Sequence, residues 1–309
     1  MRPDEKRELV AEVIQEHEQL SLRQACQIFH ISTSVYRYRS KVRKEDGRYY
    51  DMLVDLAERR PTWGFWKMYH RVRLDGELIN HKRLYRIYSI AKLGIRRKTR
   101  KRVPQRIKQP LVQPLCPNLT WSMDFMRDSL FQGKPFRAFN VIDDFNRESL
   151  NITIAKSITS KRVITELEQL IAWRGCPVRI RVDNGPEFIA DALKEWCAQE
   201  NKQIELLFIQ KGKPSQNGYI ERFNKTFRED ILDSYMFEVP EQVQQKANHW
   251  IWMYNNDRPH ESLKNLPPTH FLLKYGKLHQ HPKGQQEFPT FQQENNEQLL
   301  IKNYTFDRS

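Results

Sequence analysis

Cysteine is scarce in this chain: four residues in 309, at Cys26, Cys116, Cys176 and Cys197. They stand far apart, with no Cys-x-x-Cys pair and no Cys/His cluster. That excludes a zinc finger and a disulfide framework and fits a reducing compartment. Long apolar runs are also missing, so the sequence offers no membrane-spanning helix. The amino terminus, Met1-Arg-Pro-Asp-Glu-Lys-Arg7, is charged where a signal peptide is apolar. These absences predict a soluble, cytoplasmic protein with no membrane partner. Acidic residues are short in one place only. Residues 1–110 hold 27 Lys+Arg against 13 Asp+Glu, whereas residues 111–309 hold 25 of each. The whole formal charge of +14 therefore sits in the first third. Such a surplus is an electrostatic footprint for a polyanion, with nucleic acid the default partner and an ordinary solvated helical surface the plain alternative.

Periodicity divides the chain into five parts. Residues 1–45 read as short helices, 4–18, 22–29 and 33–40, with Ser21 as an N-cap. Two short helices about a tight turn, the second carrying Arg37 and Arg39, match a helix-turn-helix DNA-binding module. Residues 46–95 repeat the helical theme in a second such module. Its last helix, 81–93, is capped by Asn80 and ended by Gly94, and it presents Lys82, Arg83 and Arg86 while Leu84, Ile87 and Tyr88 pack. Residues 96–117 form a basic, proline-containing linker: Arg96, Arg97, Lys98, Arg100 and Lys101 are suited to lie along a phosphate backbone. Residues 118–275 change character. Strands at 119–126, 136–142 and 149–155 form an antiparallel meander, followed by a helix at 160–173 and a strand at 178–182. A helix at 190–200, a strand at 204–209 and helices at 218–233 and 241–256 complete the domain. That order is α/β and predicts a ribonuclease H-like core, a mixed five-stranded sheet flanked by helices. Residues 276–309 are rich in Gln, Asn, His and Pro, a polar and flexible tail.

Three acids stand out. Asp124 lies inside a strand, where a buried unpaired charge is expensive and wants a metal, a cation or solvent. Asp183 ends the strand Arg179-Ile-Arg-Val-Asp183 and opens a tight turn. Glu221 sits in the first turn of the helix that begins at Gly218. Singly, each has a dull explanation as a strand-edge acid, a turn Asp or a helix N-terminal acid. Asp143 and Asp144 are rivals placed at a hairpin turn, Glu187 is expected to fix the turn after Asp183, and His260 reads as packing or a DNA contact.

Five stretches then make the sequence recognisable: Trp121-Ser-Met-Asp-Phe125, Asn140-Val-Ile-Asp-Asp-Phe-Asn-Arg147, Val182-Asp-Asn-Gly-Pro-Glu-Phe188, Gly212-Lys-Pro-Ser-Gln-Asn-Gly-Tyr-Ile-Glu-Arg-Phe-Asn-Lys225 and Tyr254-Asn-Asn-Asp-Arg-Pro-His-Glu-Ser-Leu263. Over roughly residues 20–272 the chain resembles insertion-sequence transposases whose catalytic core is similar to retroviral integrases. The resemblance implies that Asp124, Asp183 and Glu221 are catalytic and hold two Mg²⁺ ions, for which Mn²⁺ substitutes. It implies that Lys225 and Arg228, on the helical face of Glu221, approach the DNA end. It also implies double-stranded DNA partners (terminal repeats and target), association with the nucleoid, self-association in the DNA complex, and an upstream-frame protein or fusion partner. One departure is measurable. The group leaves about 35 residues between its second Asp and its Glu, whereas positions 184–220 make 37. The extra pair fits best near Glu200–Gln203, where a loop absorbs it. The alternative to a transposase is a catalytically silent DNA-binding regulator or partner subunit. A nuclease that cuts without joining is less compatible with two DNA-binding modules.

Overall fold

The computed structural model describes residues 2–17, 19–38, 45–95, 111–210 and 214–276. Arg39, the basic stretch Arg96, Arg97, Lys98, Arg100 and Lys101, and nearly all of the polar tail lie outside them. The described residues divide into two compact units, which meet between Asp55 and Leu56.

The first unit contains α1 (Pro3–Glu16), α2 (Leu22–Ile28) and α3 (Thr33–Arg37). Ser21 and Gln24 form a reciprocal capping box that starts α2. His30, in the left-handed region, turns the chain into α3, which Ser32 caps. Val10, Ala25 and Cys26 are its buried core, with Ile14, Leu22, Phe29 and Tyr36 packed around them. The third helix is shorter than the expected 33–40, because Tyr38 already has extended backbone. Helix α4 (Glu45–Arg59) runs across the division.

In the second unit, α5 (Phe65–Leu74) and α6 (His81–Ile90) precede the sheet. Asn80 caps α6 as expected, but the helix stops at Ile90 rather than at Gly94. Lys92 takes the left-handed conformation, and the Leu93 N–H reaches back to the Tyr88 carbonyl. A helix C-terminus therefore forms one turn early on a non-glycine residue.

Strands β1 (Thr120–Ser129), β2 (Pro135–Asp143), β3 (Ser149–Ala155), β4 (Arg179–Val182) and β5 (Glu205–Phe208) form one mixed sheet in the order β3-β2-β1-β4-β5. The first three are an antiparallel meander, and β4 and β5 join parallel to β1. This is the ribonuclease H-like arrangement that the order of elements predicts. Alternation along β1 sorts its side chains: Trp121, Met123 and Phe125 face one core, Met126 the other. Helices α7 (Ser160–Arg174) and α9 (Asp191–Ala198) cover the first face through Val163, Leu167, Leu193 and Trp196. Helices α10 (Gly218–Phe227) and α11 (Pro240–Asn256) cover the second through Ile220, Phe223, Phe227, Trp250 and Tyr254. Each such fully buried side chain contributes roughly 1.5–3 kcal/mol. Period-two alternation puts Asp124 on the second face, under α10.

Three local features depart from the sequence reading. A short helix, α8 (Pro186–Ile189), follows Asp183, and α12 (Pro268–Tyr275) packs Phe271 against Phe145 and Leu263. The expected single helix 218–233 changes at Arg228 into a π turn, where the Asp233 N–H bonds the Arg228 carbonyl at 2.8 Å. The widening coincides with Arg228 being tied to the end of β1, and π turns of this kind interrupt α-helices frequently at functional sites.

The outer edge of β3 is closed by two amide side chains of α11. Gln244 accepts from the Ile154 N–H (2.7 Å) and donates to the Ile152 carbonyl (2.8 Å). Asn255 accepts from the Ser149 N–H and donates to the Ser149 carbonyl, both at 2.9 Å. Eleven residues of helix span about 16 Å, close to the reach of four or five strand residues, so one straight helix meets both ends of the strand.

Candidate active site

Strand register sets the first two acids side by side. Ser122 pairs with Arg181 across the parallel β1–β4 ladder. Two residues further along each chain are Asp124 and Asp183, on the same face. Glu221 lies in the first turn of α10, whose Ile220, Phe223 and Phe227 seat it on that face. Asn224, one turn after Glu221, donates to Asp124 Oδ2 at 2.7 Å. Its own Oδ1 accepts from Asn140 Nδ2, also at 2.7 Å. Asn140 is the cross-strand partner of Asp124 in the β1–β2 register. A chain of two buried amides therefore anchors Asp124, and sequence reasoning missed both. The available signal was Asn224 three residues beyond Glu221 on a helix.

Burial, followed by the neighbouring charges of Asp183 and Glu221, outweighs the Phe125 N–H and Asn224 hydrogen bonds and pushes the Asp124 carboxyl up to about 6. The repulsion places the three acids in one electrostatic neighbourhood. Glu221 itself is raised, by burial. A raised carboxyl costs the native fold stability once ionised. On Asp124's account, stability falls as pH rises from its ordinary 3.8 through about 6, and is regained on acidification.

Asp183 is held by its own turn, with the Gly185 N–H donating to Oδ1 at 2.9 Å. A methyl group at Gly185 would lie 2.9 Å from the same oxygen and 3.6 Å from Phe188 Cδ2. Gly185→Ala is therefore expected to displace the Asp183 carboxylate. The variant should keep a melting temperature near that of the wild type while the carboxylate moves; an unmoved Asp183 carboxylate in a crystal structure of the variant would show that the turn does not position the acid.

Three carboxylates are an all-oxygen donor set, which suits a hard divalent cation such as Mg²⁺, and a cation is what would relieve the repulsion on Asp124. Among the described residues no three His, Cys, Asp or Glu side chains are gathered closely enough to form a ready ligand sphere. Asp124, Asp183 and Glu221 suit a metal by the chemistry of their oxygen donors, with Glu221 exposed on its helix.

The rival acids are structural. Asp143 is wholly buried at the end of β2, not in an open hairpin turn, and accepts from the Asn118 N–H (2.8 Å) and the Phe145 N–H (2.9 Å). Asp144 is paired with Arg181 at 2.5 Å and accepts from Ser122 Oγ. Glu187 pairs with Arg137, and that hydrogen bond, ahead of the opposing effect of burial, holds its carboxyl low. The Gln199–Ile204 connection, where the extra residues were placed, is a surface turn with Gln203 in the left-handed region.

Of the basic residues singled out, Lys225 is exposed and lies 3.6 Å from Glu229, not beside Glu221. Arg228 bridges back to β1, donating to Asp128 Oδ2 (2.7 Å) and the Arg127 carbonyl (3.0 Å). Lys82 and Arg86 are exposed on α6 and Arg83 is half-buried, while Leu84, Ile87 and Tyr88 pack inward. Arg37 is exposed on α3. Within the second unit, no hydrogen bond or ion pair joins Lys82, Arg83 or Arg86 of α6 to the three acids.

The integrase core domain family matches residues 114–214 and, in a second segment, residues 202–268. A protein of insertion element IS476 from Xanthomonas euvesicatoria is 34% identical over 89% of this chain and 79% of its own length. One of insertion element IS407 from Burkholderia multivorans is 34% identical over 85% of this chain and 94% of its own. Among solved structures, the HTLV-2 integrase catalytic core in complex with magnesium is 24% identical, covering 46% of this chain and 88% of that one, with a TM-score of 0.37. The chain belongs to the insertion-sequence family of integrase-core transposases. No helix among the described residues is long and apolar enough to cross a membrane.

Proposed function

We propose that this protein is an active transposase that hydrolyses a phosphodiester at each end of a mobile element and joins the freed 3′-hydroxyl to target DNA. The observation that supports the reading is the β1–β4 register that sets Asp124 and Asp183 side by side, with Glu221 near enough to help raise the Asp124 carboxyl. Asp124, Asp183 and Glu221 would hold divalent ions, two in this reading, which would supply activation of an oxygen nucleophile and stabilisation of the leaving oxygen. The chain's own part is positional. The Asn140–Asn224 amides fix Asp124, the Gly185 turn fixes Asp183, and the apolar seat of α10 brings Glu221 over both. Glu221 lies at a helix N-terminus, where the helix dipole stabilises its ionised form.

In the same reading Lys225 approaches the DNA end, and residues 1–45 and 46–95 bind DNA, self-association bringing two ends together. The test is Mg²⁺- or Mn²⁺-dependent joining of linear DNA carrying the element's own ends, with Glu221→Gln and a chelator alongside and a gel shift for binding. Joined product that disappears in both controls is expected. Ends that are bound but never cut, with or without a fused upstream partner, would leave a DNA-binding regulator instead. Removing residues 1–44, which spares α4, should weaken end binding and flatten its dependence on salt. A truncated chain that still selects ends would move recognition to a different part of the protein.

A further inference from the structure

Three of the recognisable stretches contribute basic residues that the acid triad does not use, and these gather beside α10. Arg147 closes the stretch that begins at Asn140, Arg222 follows Glu221, and Arg258 and His260 belong to Tyr254–Leu263. Lys67 joins them from α5. Burial, followed by the charges of Arg258, Lys67, Arg147 and Arg222, keeps His260 well below its usual 6.5, so its ring is neutral. Tyr254 packs edge-on against that ring at 4.8 Å.

The charge balance of this cluster is incomplete. Arg258 is matched by Asp230 at 3.0 Å, and the nearby Asp144 is matched by Arg181. Among the described residues, Lys67, Arg147 and Arg222 have no carboxylate within ion-pairing distance. Arg147 is only 7% exposed, with its guanidinium 3.4 Å from the centre of the Tyr219 ring. Its Nη1 is buried without a hydrogen-bond partner, and so is Nε2 of His260. Buried donors are satisfied in the great majority of native structures, and an unmet charged donor is costlier than a neutral one. Lys67 responds to the same crowding: burial and then Arg258 lower its ammonium to about 8.

We propose that Arg147 Nη1, Lys67 and Arg222, with the ring of His260 beside them, form a site for one phosphodiester group of the DNA strand. A planar guanidinium beside an ammonium is suited to phosphate oxygens. Tyr219, Glu221 and Arg222 lie within about 5 Å along the axis of one helix, so the bound group belongs to the same stretch of DNA as the phosphodiester at the acids. The ligand rests on the strand-transfer reading above; the location rests on the orphaned Arg147 Nη1 and the unpartnered His260 Nε2.

The test uses the full chain and a short labelled duplex, with affinity measured by anisotropy across a salt series. Lys67→Gln/Arg222→Gln is expected to bind about tenfold more weakly, with a salt slope lower by about one unit. Lys161→Gln, a neutralisation on α7, is expected to leave the slope unchanged. Arg222→Gln alone, at an exposed position, is expected to show a smaller shift in the same direction and covers any folding defect from Lys67. A wild-type slope in both variants overturns the proposal. Joining activity separates the two ideas: a wild type that joins DNA ends while the variants keep its slope sinks only the phosphate site. Variants that lose the slope while the wild type joins nothing sink only the strand-transfer reading.

Discussion

Asp124→Asn is expected to abolish joining while leaving the protein folded and DNA-bound. The asparagine keeps an oxygen for the Phe125 N–H, which Asp124 Oδ1 now accepts at 2.8 Å. Its amide would face the Asn224 amide, donor to donor, but that conflict is removable. Asn140 Oδ1 is buried with no partner, so Asn224 and Asn140 can both turn over and reverse the polarity of the chain. Removing the charge also relieves repulsion from Asp183 and Glu221. The melting temperature should therefore equal or exceed that of the wild type, as is common where an active site stores destabilising charge. Joining should fall by about a thousandfold or more, equivalent to about 4 kcal/mol of transition-state stabilisation. Joining within tenfold of wild type would remove Asp124 from the catalytic set.

The largest effect on stability is expected at Asp230, nine residues beyond Glu221. Asp230 accepts from Arg258 Nη1 (3.0 Å), Trp250 Nε1 (3.0 Å) and Thr62 Oγ1 (2.6 Å). Both members of the ion pair are nearly buried, at 10% and 13% side-chain exposure. Asp230→Ala leaves Arg258 without its counter-charge among Lys67, Arg147 and Arg222, which is the expensive way to break a buried pair. A loss of about 3–5 kcal/mol is expected, read from urea unfolding at fixed pH. Asp230→Asn, which keeps acceptors for Trp250 and Thr62, should lose less. A change below about 1 kcal/mol in the alanine variant would mean that water already serves Arg258.

The contact with Thr62 was invisible in the sequence, for a definite reason. Residues 60–71 read as part of a separate helical module. Yet Arg60 and Arg71 both reach Asp257, at 3.4 and 3.3 Å, and Thr62 reaches Asp230. Periodicity reports which face of a helix is apolar and not which distant element covers it. The strands were legible because alternation such as Trp121, Met123, Phe125 is a local property of the chain. Locally, Asp124, Asp183 and Glu221 carried only the dull readings of a strand acid, a turn Asp and a helix N-terminal acid; the resemblance of the stretches around them is what singled them out as a set. Asn140 and Asn224 were not legible as a pair, since a polar residue on a strand and one on a helix carry no mark of being partners 84 residues apart. The π turn escaped for the same reason: only the grip of Arg228 on β1 reveals it. The early stop of α6 depended on Lys92 entering a conformation that glycine favours.

The amides of Gln244 and Asn255 have a colloidal consequence. An uncovered strand edge templates runaway pairing with other chains, a hazard wherever copies are concentrated. With the β3 backbone engaged at Ser149, Ile152 and Ile154, copies crowded together cannot extend each other's sheets there. They are left to recognise one another through side chains, in contacts that can form and dissolve without seeding fibres.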